Sequence, residues 1–292
     1  MIQDKYVNLK QSEQGALVSI AAYLILSALK LFIGTSMSSR ALLADGLNNV
    51  TDIIASVAVL IGLKLSRRPA DSDHPYGHWR SETIASLFAS FVMMTVGIQV
   101  LYDGAKSIFA SRDKTPDLLS AWIGLSCAAV MFAVYGYNRR LAQRTKSASV
   151  LAAAKDNLSD AWVSVGASAG ILGAQIHLPW LDPIAAFLIG ALICWTAWTI
   201  FRESSYHLSD GFDDRLLHSF NQIVLSIAGV KGVRDIRGRT YGNNTIIDLV
   251  ILVNSDMDLR EAHQIATRVE KVLTEKYDVF DVHVHVEPDE QR

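Results

Sequence analysis

The chain has 292 residues, of which 50% are hydrophobic and only 19% charged, with a formal net charge of −2. A mean hydropathy of +0.24 and a pI near 6.4 exclude disorder, collagen-like repeats and disulfide scaffolds, and the balance carries no nucleic-acid signature. The apolar residues concentrate in 1–206, whereas 207–292 have ordinary soluble composition, which predicts a polytopic membrane protein with a soluble tail.

The N-terminus is polar and the first apolar run begins near Ala16, so no cleavable signal peptide is expected. A spanning helix needs about 20 mostly apolar residues. Six stretches qualify: 16–35, 41–63, 83–108, 118–138, 148–175 and 183–202. The joints carry breakers or charge, as at Gly34–Arg40, Ser66–Arg80, Ser111–Asp117, Asn138–Lys146 and His177–Pro183. Lys5, Lys10, Lys64, Arg67, Arg68, Arg80, Arg139, Arg140, Arg144 and Lys146 fall on one side, against Arg40, Lys106, Arg112 and Lys114 on the other. That excess places both termini in the cytoplasm, as an even number of spans requires. Cys127 and Cys194 lie inside apolar runs and read as small hydrophobes, not as a disulfide.

Beyond Phe201 the periodicity changes. Asp213–Ile227 reads as an amphipathic helix with Leu216, Leu217, Phe220, Ile223, Val224 and Ile227 on one face. Val233–Thr240 and Thr245–Val253 are predicted strands joined by a Tyr241-Gly242-Asn243-Asn244 turn. Leu259–Tyr277 follows as a second helix and Val279–Val286 as a last alternating strand. The order α-β-β-α-β predicts a small α+β domain, an open sheet with helices on one face.

Charges within a span are costly and mark a pathway or a site by default. Asn48 and Asp52 in span two are spaced i, i+4, as are Asp156 and Asp160 in span five, so each pair shares one helix face. Counted from Arg40, Asn48 and Asp52 lie about 12 and 18 Å along their helix; counted from Lys146 at the opposite side, Asp156 and Asp160 lie about 15 and 21 Å along theirs. In a core about 30 Å thick all four sit near the midplane. Three carboxylates at one depth repel one another unless protonated or neutralised by a cation. The matched pairs predict a cation site. The plainer alternative pairs one of these carboxylates with Lys30 and leaves the others in a wet cavity. Lys30 and Asp45 read as structural partners or headgroup residues, Asp103 and Asp182 as easily solvated span ends, and His177 as an exposed loop residue.

The loop after span two, Asp71-Ser-Asp-His74-Pro-Tyr-Gly-His78, holds two imidazoles four apart with a carboxylate three before the first. That is a workable zinc or manganese ligand set, with solvated loop histidines as the alternative. In the tail, His283, His285 and Glu287 alternate and share one strand face, while His263 falls on the second helix. Exposed sheet-edge residues are the alternative there.

These residues together resemble the cation diffusion facilitators. The resemblance covers nearly the whole chain: the six spans, Ala-Asp-Gly-x-Asn-Asn-x-x-Asp at 44–52, Asp-His-Pro-Tyr-Gly-His at 73–78, Asp-Asn-x-x-Asp at 156–160, and the α-β-β-α-β tail. It implies a homodimeric, proton-coupled exporter of divalent metals in the cell membrane, plasma or inner. Residues 1–206 would form the transport domain and 207–292 a cytosolic metal-sensing and dimerisation domain. On this resemblance the transport site falls on Asn48, Asp52, Asp156 and Asp160. Zinc-exporting members typically have His where this chain has Asp156, and usually Asp where it has Asn48. The set here is similar to the manganese-exporting branch, and an all-oxygen site without imidazole suits Mn²⁺ better than Zn²⁺.

The loop site carries over onto Asp71, His74 and His78. In the tail His263, His285 and Glu287 stand at ligand positions of the family, Arg234 and Val250 stand where zinc-type members have His, and Asp248 is the candidate substitute. Arg80 and Asp210 supply opposite charges where the family has a pair between membrane domain and tail. The expected cargo is Mn²⁺, exchanged for protons, with Asp156 the first candidate proton carrier; Fe²⁺ or Zn²⁺ is the alternative. The expected partners are a second copy of the chain, the lipid bilayer, divalent metal ions and protons, with no nucleic acid and no catalytic cofactor. A membrane-anchored sensor that transports nothing is a further alternative, although it would need ligands in the tail alone. An enzyme is not expected: no nucleophile–base pair, phosphate loop or His-Glu-x-x-His motif occurs.

Overall fold

Each predicted span is a helix, and most run past the apolar stretch that announced them. They are α1 (Ile2–Ser36), α2 (Arg40–Ser66), α3 (Ser81–Phe109), α4 (Leu118–Thr145), α5 (Ala148–Gln175) and α6 (Leu181–Leu208). Hydropathy marks only the part of a helix that lipid can cover, whereas the backbone hydrogen bonds continue into polar sequence. The computed structural model describes residues 2–66, 68–109, 116–145, 148–176, 178–241, 244–277 and 279–289. His177, the turn residues Gly242 and Asn243, and the basic residues Arg67, Arg112, Lys114 and Lys146 lie outside them.

Five helices, α1 from Leu17 onward with α2, α3, α4 and α6, are long and apolar enough to cross a membrane. The 28-residue α5 is as long, but it carries Lys155, Asp156 and Asp160. It packs along α4 and α1, and its buried stripe is polar: Asn157, Asp160, Ser164 and Ser168 face inward while Trp162 is 61% exposed. Helices that associate within lipid gain little from apolar contact and use small and polar residues instead. Cys127 is buried, Cys194 is half-buried, and both are free thiols.

By internal contacts the chain divides into two compact units, Met1–Ala58 with Phe88–Thr199, and Val59–Leu87 with Ile200–Arg292. The first holds two apolar cores. One joins Leu42, Val100, Ile171, Ile189 and Ile193; the other joins Tyr23, Leu26, Cys127, Met131 and Ala161.

Asp182, read above as an easily solvated span end, is fully buried. Its Oδ1 accepts from Ser39 Oγ at 2.8 Å and from the Ala41 N–H at 3.1 Å, and its Oδ2 from the Arg40 N–H at 3.0 Å. The first N–H groups of any helix lack internal partners, and here a carboxylate from the start of α6 satisfies two of those of α2. It thereby fixes the entry of the helix that carries Asn48 and Asp52. Asp182→Ala leaves these donors bare, and thermal unfolding in detergent should show a loss of about 1–3 kcal/mol.

In the second unit α7 (Asp214–Leu225), β1 (Gly232–Tyr241), β2 (Asn244–Val253), α8 (Leu259–Tyr277) and β3 (Asp281–Pro288) follow the predicted order. The sheet order is β1-β2-β3. β1 and β2 pair antiparallel, and β2 and β3 parallel with Asp248 opposite His283 and Val250 opposite His285. The parallel pairing follows from α8, since a return to the same direction needs a crossover. Both helices cover one core of Val224, Ile247, Leu249, Ile251, Ile265, Val269 and Leu273.

Candidate functional site

The polar faces of α2 and α5 meet inside the first unit. The Asn48 Nδ2 donates to Asp160 Oδ1 at 3.0 Å and to Asp52 Oδ2 at 3.3 Å. One amide nitrogen thus bridges two carboxylates. Asn48 and Asp160 are buried, while Asp52 is half-buried. Asp156 stands one turn before Asp160 on α5, exposed and outside this hydrogen-bonded set. The structure therefore gathers Asn48, Asp52 and Asp160 at one point, with Asp156 beside them along the same helix. Oxygen ligands without imidazole or thiolate make a hard donor set, suited to Mn²⁺, Mg²⁺ or Ca²⁺ more than to zinc.

Lys30 does not take up one of these carboxylates. Its Nζ donates to Asp45 Oδ1 at 2.9 Å, Asn49 Oδ1 at 2.6 Å and Ser164 Oγ at 2.9 Å, with both ions of the pair fully buried. The ammonium clips α1 to α2 and α5 one turn along from Asn48 and Asp160. Removing one partner of a buried pair strands the other charge. Lys30→Met is expected to destabilise the protein by about 3–5 kcal/mol, and adding Asp45→Leu to recover most of it; thermal unfolding of both variants in detergent measures this.

Asp160 has one further partner that the sequence reading left aside. Tyr23 donates from its hydroxyl to Asp160 Oδ2 at 2.5 Å. In sequence a tyrosine within an apolar span is indistinguishable from core, because its ring packs as any aromatic does and only the buried hydroxyl requires a partner.

In the second unit, Asp71, His74 and His78 have one ligand atom each within 4.8 Å of the others. His74 Nδ1 lies 3.2 Å from Asp71 Oδ1 and His78 Nε2 3.6 Å from Asp71 Oδ2. The His74 backbone N–H donates to Asp71 Oδ1 at 2.7 Å and, as the leading cause, holds that carboxyl below the usual carboxylate range. Asp71 therefore stays charged, and available to a cation, through the neutral range.

The tail residues are distributed differently. His263 is on α8, and His285 and Glu287 are on β3, where His285 Nε2 lies 3.7 Å from Glu287 Oε1. Glu287 is also paired with Arg234. Asp248 meets His283, whose Nδ1 is 2.9 Å from its Oδ1. The parallel register sets those two directly opposite and places Val250 opposite His285. Within one chain the structure does not bring His263, Asp248, His285 and Glu287 together, and His283, left out of that set, is the imidazole beside Asp248. Arg80 is paired with Asp210, and its guanidinium lies 4.3 Å from the centroid of the Tyr241 ring.

Residues 16–209 match the family described as the cation efflux transmembrane domain, and residues 212–289 match the cytoplasmic domain of cation efflux proteins. The chain is 53% identical over 289 residues to the manganese efflux system protein MneS of Bacillus subtilis (strain 168), covering 99% of this chain and 100% of that one. It is 52% identical over 283 residues to the uncharacterized transporter YdbO of the same organism, covering 97% and 98%. Similarity to the manganese efflux system protein MneP, also of Bacillus subtilis, is 28% over 286 residues, covering 95% and 96%.

Proposed function

The chain belongs to the cation efflux family of membrane transporters, and from that premise we propose that it exports Mn²⁺ from the cytoplasm in exchange for protons. The observation that carries this reading is the α2–α5 seam, where Asn48 bridges Asp52 and Asp160 with Asp156 alongside. No imidazole or thiolate stands there, and the Irving–Williams order means that selectivity for manganese must come from ligand type and geometry, not from affinity. The 53% identity to a manganese efflux system protein supports the same cargo.

In the proposed cycle the metal enters from the cytoplasm and replaces the Asn48 N–H as the neutralising group between Asp52 and Asp160. The amide turns over so that its oxygen, not its nitrogen, faces the ion. Rocking of the helices opens the seam outward, where protons reload the carboxylates and release the metal; Asp156, the most accessible of the three, takes the first proton. Residues 1–206 form the transport domain in the cell membrane, with both termini in the cytoplasm. Residues 207–292 form the dimerisation domain. Asp71, His74 and His78 form a second metal site, and a third in the tail draws on His263, Asp248, His285 and Glu287 across the dimer. Uptake of Mn²⁺ into inside-out membrane vesicles, with Zn²⁺ and Fe²⁺ as competitors, tests the reading. Mn²⁺ uptake abolished by dissipating the pH gradient supports it, and preferential uptake of Zn²⁺ or Fe²⁺ replaces the cargo.

The Arg80–Asp210 pair carries a linked expectation. The pair is partly exposed, so it contributes no more than about 1 kcal/mol of stability. Its proposed role is a hinge that passes tail movement to the spans. Asp210 has φ 60°, a left-handed conformation that Asn tolerates far better than Ala, so Asp210→Asn removes the charge without straining the backbone. A double-mutant cycle on flux with Arg80→Gln and Asp210→Asn should be non-additive. Additive effects would make the two residues independent.

A further inference from the structure

The Tyr23 contact with Asp160 is the end of a buried, directional chain of hydrogen bonds. Asn138 Nδ2 donates to Asn157 Oδ1 at 2.9 Å and to Ser19 Oγ at 2.8 Å, and Ser19 Oγ donates to Asn157 Oδ1 at 3.1 Å. With its oxygen occupied in this way, Asn157 can only turn its Nδ2 toward Tyr23, to whose hydroxyl oxygen it donates at 3.0 Å. The phenol, having accepted from Asn157, directs its own proton to Asp160 Oδ2. Ser19, Tyr23, Asn138, Asn157 and Asp160 are each no more than 6% exposed, so water does not compete for these bonds. Three helices, α1, α4 and α5, thus cooperate to hold a single carboxylate oxygen.

The consequence lies in how Asp160 meets a cation. Its two oxygens are held by different groups. Oδ1 is held by Asn48, itself on the metal-facing seam and able to yield, while Oδ2 is held by a network anchored in the bundle. We infer that Tyr23 is a specificity-determining residue of the transport site, which keeps Asp160 monodentate by retaining Oδ2. One oxygen from each of Asn48, Asp52, Asp156 and Asp160, with two waters, would supply six ligands, the number that a small octahedral divalent ion takes. Ca²⁺ instead takes 6–8 oxygens and draws on bidentate carboxylates. A carboxylate denied its second oxygen therefore disfavours Ca²⁺ relative to Mn²⁺.

This inference rests on the transport reading above, and the test separates the two. The full-length protein is placed in proteoliposomes, and initial uptake of Mn²⁺ and of Ca²⁺ is measured, each metal alone, for wild type, Asp160→Ala, Tyr23→Phe and Asn157→Leu. Tyr23→Phe keeps the ring that packs with Leu26, Cys127, Met131 and Ala161 and removes only the hydroxyl. The Ca²⁺:Mn²⁺ ratio is expected to rise at least about tenfold in Tyr23→Phe, through a lower KM for Ca²⁺ together with a loss of Mn²⁺ uptake of about tenfold, the scale for removing a group that orients a metal ligand. Asn157→Leu removes the group that aims the phenol and should move the ratio the same way by less. An unchanged ratio in Tyr23→Phe, or an equal loss for both metals, overturns the inference; if that variant does not assemble, Asn157→Leu decides by the same ratio. A wild type that moves no Mn²⁺ overturns the transport reading instead.

Discussion

Asp160→Ala is expected to abolish Mn²⁺ transport while the protein still folds and dimerises. Asp160 is the residue at which the α2 and α5 faces join, accepting from Asn48 on one oxygen and from Tyr23 on the other. Loss of a group that merely orients a metal ligand costs about 10–100-fold in affinity or activity, so loss of a ligand itself should exceed about 100-fold. The effect on stability is mixed. The buried Tyr23 hydroxyl loses its acceptor, at about 1–3 kcal/mol, whereas Asn48 keeps Asp52, and an expensive intramembrane carboxylate disappears as well. Flux in proteoliposomes, beside the elution volume of the purified dimer, separates the two effects. Wild-type flux in this variant would remove Asp160 from the site.

Asp156→His should shift the preference from Mn²⁺ toward Zn²⁺. Imidazole is a good zinc ligand and a poorer match to manganese, for which oxygen donors are preferred. The position is favourable for such an exchange. Asp156 is exposed and outside the hydrogen-bonded set of Asn48, Asp52 and Asp160, so a larger ring breaks no buried contact. A tenfold change in the Mn²⁺:Zn²⁺ ratio of initial rates, equivalent to about 1.4 kcal/mol, is the expected scale. An unchanged ratio would place selectivity elsewhere, for example in Tyr23 or in the packing of α2 on α5.

The seam was legible in the sequence because two regularities coincided there. The i, i+4 spacing of Asn48 with Asp52 and of Asp156 with Asp160 placed each pair on one face, and counting rise from opposite membrane sides placed both at one depth. Neither step needs tertiary contacts. The tail elements were legible for a similar reason, since an amphipathic helix and alternating strands bury one side of a soluble domain. Asp182 was misread because span-end position says nothing of what lies across from it; only the fold brings it to the bare N–H groups of α2. Tyr23 and Asn138 carry no such signal, because the partners that define them, Asp160 for Tyr23 and Ser19 for Asn138, lie more than 100 residues away. In the tail, strand alternation grouped His283, His285 and Glu287 on one face, but the β2–β3 register decides which of them meets Asp248, and register is a long-range property.

Passage of Mn²⁺ across the membrane against protons through the α2–α5 seam is measured by metal-resolved flux in proteoliposomes under an imposed pH gradient. Mn²⁺ is expected to move toward the more acidic side and protons the opposite way, and collapse of the gradient or Asp160→Ala to stop both. Mn²⁺ flux indifferent to the gradient and to Asp160, or no Mn²⁺ flux at all in a folded wild-type dimer, would contradict that exchange.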